Sequence, residues 1–315
     1  MTAYLLRRLG TSIIVLIGIS IFIYLLLHAI YPSPARAVLG LRANNAQLAA
    51  WNKANGYDRP VIEQYLSYMN GLIHGNLGYS YSDNQTVASL FQERVARSAY
   101  LTGAGLVLAV LIALPLGVVQ AVRRNSLGDN VVTSAAFVLY AMPVFALGLI
   151  LIQAFALSFP LLSFEASQST SIWTVIGDWH AMLLPILTLT LISVALFSRY
   201  MRSASIDVLA QDYIKVARAK GLPERLVLTR HMVRNASLPM VTLIGLSLPA
   251  LLAGNLITEF LFNFQGLGLL FYSSLQKEDY PVLLAYTLIG AVFVVVGNLI
   301  ADIALTVADP RIRLA

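Results

Sequence analysis

SASIDVLAQDYIKVARAKGLPERLVLTRHMVRNASLP, residues 203–239, is polar and stands between apolar runs long enough to cross a bilayer. It carries Lys215, Arg218, Lys220, Arg225, Arg230 and Arg234, with Arg199 and Arg202 just upstream. Enrichment of Lys and Arg in a loop between spans marks the cytoplasmic side of a membrane. The spacing predicts two short helices. The first covers 206–220 and stops at Gly221, the residue favoured just past a helix end. The second opens with Pro223 at its first position and Glu224 in its first turn, both suited to a helix N-terminus, and ends near 235.

Composition agrees with a membrane-embedded chain. Of 315 residues, 58% are hydrophobic and 11% charged. A soluble domain of this length cannot cover its surface with so few charges, whereas a polytopic membrane protein is covered largely by lipid. The absence of cysteine excludes a disulfide framework and a thiolate metal site. The net charge of +6 sits in short loops between apolar runs, which reads as orientation and not as a nucleic-acid-binding face.

Outward from the loop, apolar runs predict six membrane helices at about 9–31, 99–122, 131–158, 181–201, 237–262 and 282–307, each near or above the roughly 20 residues that a span needs. The expected fold is an all-α polytopic membrane protein in three parts. These are the N-terminus and first helix (1–31), a small external domain (32–98), and a core of helices two to six (99–315) with its loop at 203–236. Arg7 and Arg8 place the N-terminus in the cytoplasm, and the apolar run after them is too long for a cleaved leader. Residues 159–180 carry no Lys or Arg, as an external loop should. Within 32–98, helical stretches are expected near 46–54 and 61–73.

The loop resembles the cytoplasmic coupling loop of ABC-importer permeases, in their dipeptide and oligopeptide branch. The likeness rests on Ala217 to Gly221 and Arg234 to Pro239. Lys215 stands where the general pattern has Glu, and Gly221 lies farther from Pro239 than in other importer families. The opening Tyr4, Arg7, Arg8 is similar to the first of the two permeases in such importers. Residues 75–80, Glu93-Arg94, the 263–270 turn with Gln265 in place of a Pro, and the tail 309–313 also resemble the family.

The resemblance implies a transport subunit that is no enzyme itself. It would work with a second homologous permease, two ATP-binding cassette ATPase domains and an extracytoplasmic peptide-binding protein. Its setting would be the inner membrane of a prokaryote, with both termini cytoplasmic. ATP and magnesium would belong to the partners, consistent with the lack of a P-loop motif here. Peptide substrate and lipid bilayer are implied contacts; nucleic acid is not. Ala217, Ala219, Gly221, Leu222, Pro223, Leu226, Arg230, Val233 and Arg234 are the candidate ATPase-coupling residues. Leu226, Arg230 and Val233 recur at near-helical spacing, as one exposed face would. The four histidines are scattered, without a second ligand at metal spacing. Glu259 and Asp302, charged residues near span ends where water reaches, are functional candidates by default. Asn255 and Glu259 are candidates for the path or its gate. Gln153, Thr188, Thr190, Ser193 and Ser247 suit either a path or helix–helix contacts.

Overall fold

The computed structural model describes residues 2–31, 33–40 and 42–308; the family-like tail at 309–313 lies outside them. The first long helix, α1 (Thr2–Ile30), leads into α2 (Ala35–Leu39), α3 (Asn45–Asn55) and α4 (Val61–Ile73). A hairpin of β1 (Tyr79–Ser80) and β2 (Gln85–Thr86) follows, with Tyr79 opposite Thr86. Local chemistry explains the small helices. Asn44 and Gln47 form a reciprocal capping box on α3, and Gly56 ends it in the left-handed region, at φ 77°.

Next come α5 (Val87–Val122), α6 (Leu127–Ala141) and α7 (Val144–Ile152), the last continuing as a π-helical turn, Gln153–Ser158. Short α8 (Ile172–Gly177) precedes the long α9 (Trp179–Leu209). Residues 210–236 hold α10 (Asp212–Ala219), α11 (Glu224–Leu226), a π-helical segment (Val227–Val233) and α12 (Arg234–Ala236). Then follow α13 (Leu238–Ala253), α14 (Leu256–Leu261), α15 (Leu267–Gln276) and α16 (Tyr280–Ala308). The external domain expected to reach 98 gives way to α5 at Val87, capped by Thr86, whose hydroxyl accepts from Ser89 N–H.

The mostly helical, polytopic architecture holds, but two expected spans are not single helices. Four helices, α1, α5, α9 and α16, are each long and apolar enough to cross a membrane. The expected third span is the pair α6 and α7, bent by 107°. Pro143 causes the bend: it supplies no N–H to the helix ladder and pushes Met142 into extended backbone, at ψ 131°. The expected fifth span stops at Ala253, after the 16 residues of α13, because Gly254 turns the chain at φ 81°. Residues 256–262 belong to a separate short helix and its end.

Apolar clusters hold the bundle. One, at the end near residues 203–239, joins Ala109 and Ala113 of α5, Phe197 and Met201 of α9, and Met240 of α13. A second, towards the other end, gathers Leu101, Leu147, Met182, Leu184, Phe262 and Phe264. Beyond these, Val87, Leu90, Leu270 and Val282 pack together. The segment before α5 is fastened to the bundle by aromatic rings: Tyr24 of α1 meets Tyr65 and Tyr68 of α4 and Tyr280 of α16 at centroid distances of 5.4, 6.2 and 6.1 Å. The Ser80 hydroxyl donates to the Asp279 carboxylate, and Lys277 pairs with Asp83 at 2.7 Å.

Candidate functional site

The basic loop at 203–239 is built from α9 outward. Residues 206–209, expected in a separate helix, are the last turn of α9; the break falls at Ala210 and Gln211, and α10 occupies Asp212–Ala219. It ends as its sequence predicts. Gly221 takes φ 73°, its N–H donates to Arg218 O at 2.9 Å, and Leu222 N–H donates to Ala217 O at 3.3 Å. This paired closure satisfies carbonyls that the helix end would leave bare. Pro223 lies one position earlier than expected, as the extended residue before Glu224.

Side chains lock the turn. Arg218 clasps Glu224 with both arms of its guanidinium, Nε to Oε2 at 3.1 Å and Nη2 to Oε1 at 2.6 Å. Asn235 Nδ2 donates to the Tyr213 hydroxyl at 3.2 Å, a second tie between α10 and 224–236. The Arg218 guanidinium holds the Glu224 carboxyl below its ordinary value. A depressed carboxylate keeps its pairing as pH falls towards the ordinary glutamate range, and loses it only as pH drops through the lowered value.

The two short helices have a common inner face. Ile214 and Ala217 of α10 are buried with Val227, Met232 and Ala236 against α5, α9 and α13, and Leu222, Leu228 and Val233 pack against the same cluster. This corrects the face expected from spacing. Val233 turns towards the core while Arg230 is exposed, because the π-helical segment bonds i to i+5 and shifts the register of an α-helical stripe. Ala219, Gly221, Pro223 and Arg234 are exposed, and Leu226 is half-buried. Spacing did not single out Tyr213 and Val216, apolar residues that α10 leaves 44% and 51% exposed.

Behind this platform, Asp129 of α6 receives Arg202 of α9 through two bonds of 2.7 Å. Asp129 is 3% exposed and also accepts from Asn125 N–H and the Thr133 hydroxyl. Arg199 lies over the Phe137 and Tyr140 rings, 4.2 and 5.2 Å from their centroids. Thus the α5–α6 connection is tied to the same helix that carries the loop. Asp129→Ala would strand the Arg202 charge. Since Arg202 is partly solvated, the expected loss lies between exposed and buried cases, about 2–3 kcal/mol, to be read by thermal unfolding of the purified complex. Stability equal to wild type would contradict a structural role for this pair.

The polar candidates divide by place. Glu259, expected where water reaches, is instead 0% exposed. Its carboxyl accepts from the Ser98 hydroxyl at 2.7 Å and from Gly268, Leu269 and Asn255 N–H at 2.7, 3.1 and 3.3 Å. The cause is the break at Gly254, which folds α14 back so that one carboxyl serves both turns flanking it. Asn255 donates to the Thr102 hydroxyl at 2.9 Å. Thr188 and Thr190 are fully buried and bond carbonyls one turn back in α9, Leu184 O and Ile186 O, with Thr190 also reaching Gly105 O of α5. Ser247 bonds Leu243 O, and Gln153 donates to Ser158. Asp302 pairs with Arg8 of α1 at 3.1 Å.

A family model described as "binding-protein-dependent transport system inner membrane component" matches residues 113–314, and a model for the N-terminal part of such membrane components matches residues 1–102. The chain belongs to this family. The two matched regions meet within α5, which runs without a break between them. Relatives match over the whole length. The oligopeptide transport system permease protein AppB of Bacillus subtilis (strain 168) is 37% identical, over 99% of this chain and all of the relative. The dipeptide transport system permease protein DppB of Escherichia coli (strain K12) is 34% identical over 99% of each. The glutathione transport system permease protein GsiC of Escherichia coli O6:H1 is 33% identical, again over 99% of each. This transport-system component is therefore a multi-pass inner membrane protein.

Proposed function

We propose that this permease is the transmembrane subunit of an ATP-driven importer that moves di- or oligopeptides from an external binding protein into the cytoplasm. Its partners are a second homologous permease and two ATP-binding cassette ATPase domains, which bind the ATP and magnesium. Residues 212–236 are the surface that the ATPases move. Ala217, Leu222 and Val233 anchor it from within, Gly221 and Pro223 set its turn, and Ala219, Leu226, Arg230 and Arg234 stand at its rim or outer side. The observation that carries this reading is the loop's construction. Closed by Gly221, clasped by Arg218 and Glu224 and seated on three helices, it transmits force as a rigid body between two openings of the permease pair. A cleft that opens and closes needs parts that move together, and catalytic chemistry is not required of them.

The substrate class rests on the relatives, two of them named as oligopeptide and dipeptide permeases. The glutathione permease among them keeps that tripeptide as an alternative cargo. Transport by the reconstituted complex, assayed against peptides, glutathione, nickel chelates and oligosaccharides, tests the reading. Uptake driven by ATP and dependent on peptide is expected; uptake without any ATPase partner would point to an autonomous secondary transporter instead. The segment before α5 serves as the docking or shielding element for the binding protein. Asn255 borders the path, and Glu259 supports its outer end by holding the turns around it.

Orientation follows from the basic residues and places both termini in the cytoplasm. Because the chain has no cysteine, single replacements report sidedness directly. Lys53→Cys and Thr170→Cys, both at exposed positions, are expected to react with a membrane-impermeant maleimide from outside intact cells. Arg124→Cys and Lys220→Cys, equally exposed, are expected to react only after permeabilisation. The reverse pattern would invert the assignment.

A further inference from the structure

Glu93-Arg94 lies in a family-like stretch and takes no part in the coupling surface. It lies near the start of α5, at the end of the bundle opposite the 203–239 loop. Arg94 and Arg97 stand three residues apart and are used very differently. Arg97 is 5% exposed and donates to Gln265 O at 3.2 Å and Thr170 O at 3.0 Å. These bonds fix the turn between α14 and α15. Arg94 is half-buried, and among the described residues it donates to a single acceptor, Leu90 O, at a long 3.4 Å, and makes no ion pair.

Arg94 lines a cavity of about 320 Å³ together with Asn263, Gln265, Ser273, Lys277 and Asp83. Lys277 and Asp83 are taken up by each other, at 2.7 Å. The Ser273 hydroxyl is bonded to Leu270 O. Glu93 and Asp83 lie near Arg94, and neither pairs with it among the described residues. What remains, among the described residues, is one guanidinium with most of its donors unused, at the wall of a cavity that Leu269 and Leu270 also line. Asn263 holds φ 50° at the rim, a conformation that costs free energy for a residue with a β-carbon and collects at functional sites. Gln265, whose amide nitrogen donates to Gln168 Oε1 at a long 3.5 Å, lies beside it.

We propose that this cavity is a carboxylate-receiving subsite, in which Arg94 takes the C-terminal carboxylate of an incoming peptide. The inference rests on the peptide-importer reading above. A planar guanidinium matches a carboxylate through two parallel bonds, and partial burial strengthens them relative to water. The cavity has room for a terminal residue, and the Asn263 and Gln265 amides can bond its peptide group.

The test uses the assembled complex in lipid nanodiscs without the binding protein, and compares equilibrium binding of alanylalanine with that of its C-terminal amide. Wild type is expected to prefer the free acid by about tenfold, and Arg94→Gln to lose that preference. Arg94→Lys keeps the charge but not the fork, and serves if the glutamine variant does not assemble: its preference should fall severalfold. A wild-type preference in either variant, or none in wild type, overturns the subsite. ATP-driven uptake of alanylalanine by the wild-type complex with its binding protein is measured separately. If that uptake occurs while Arg94 variants bind as wild type does, the subsite fails and the importer reading stands; if no peptide is taken up, the importer reading fails.

Discussion

Gly221→Val is expected to leave every membrane helix inserted and to lower transport per ATP hydrolysed by at least about tenfold. The physical cause is backbone conformation. Gly221 sits at φ 73°, and no atom lies within 4 Å of where its β-carbon would be, so crowding is not the issue. A left-handed residue with a branched β-carbon costs about 1–2 kcal/mol, which the turn sheds by moving α10 against residues 224–236. That movement pulls Arg218 from Glu224 and lifts Leu222 from its seat, so the surface offered to the ATPases is misaimed. Gly221→Asn is the graded control, since asparagine tolerates the left-handed region best after glycine. Reconstituted vesicles give both readouts, substrate accumulated and phosphate released. Valine and asparagine variants transporting at the wild-type ratio would remove the coupling role from this turn.

Glu259→Ala should have the largest effect on stability. It leaves the N–H groups of Asn255, Gly268 and Leu269 and the hydroxyl of Ser98 without their common acceptor, in a site closed to solvent. Leaving four buried donors without their shared acceptor costs about 3–5 kcal/mol. The turns on both sides of α14 should loosen together, because one carboxyl organises both. Glu259→Gln keeps one acceptor oxygen but turns an NH2 group towards donors, and falls between. Thermal unfolding of the detergent-solubilised complex, followed by protease cutting at 254–268, checks the order wild type, glutamine, alanine. An alanine variant within about 1 kcal/mol of wild type would show that these turns are held by packing alone.

The sequence alone determined what depends on neighbours within a turn or two and on the solvent around a segment. Bilayer thickness sets the length of an apolar run, so α1, α5, α9 and α16 were legible as spans. Gly221 marked its turn because left-handed backbone favours glycine, and Asn44 and Gly56 bounded α3 in the same local way. Tertiary structure decided the rest. Pro115 and Pro185 stand inside α5 and α9 without ending them, whereas Pro143 bends the chain by 107°; the outcome is set by the helices packed alongside. The π-helical register at 227–233, which turns Val233 inward, likewise answers to the cluster beneath it. Asp129 meets Arg202 across 73 residues, Ser98 meets Glu259 across 161, and Ser80 meets Asp279 across 199. Each joins groups whose separate surroundings look like ordinary loop or span chemistry, and a buried carboxyl acquires its partner only when folding brings the distant donor to it.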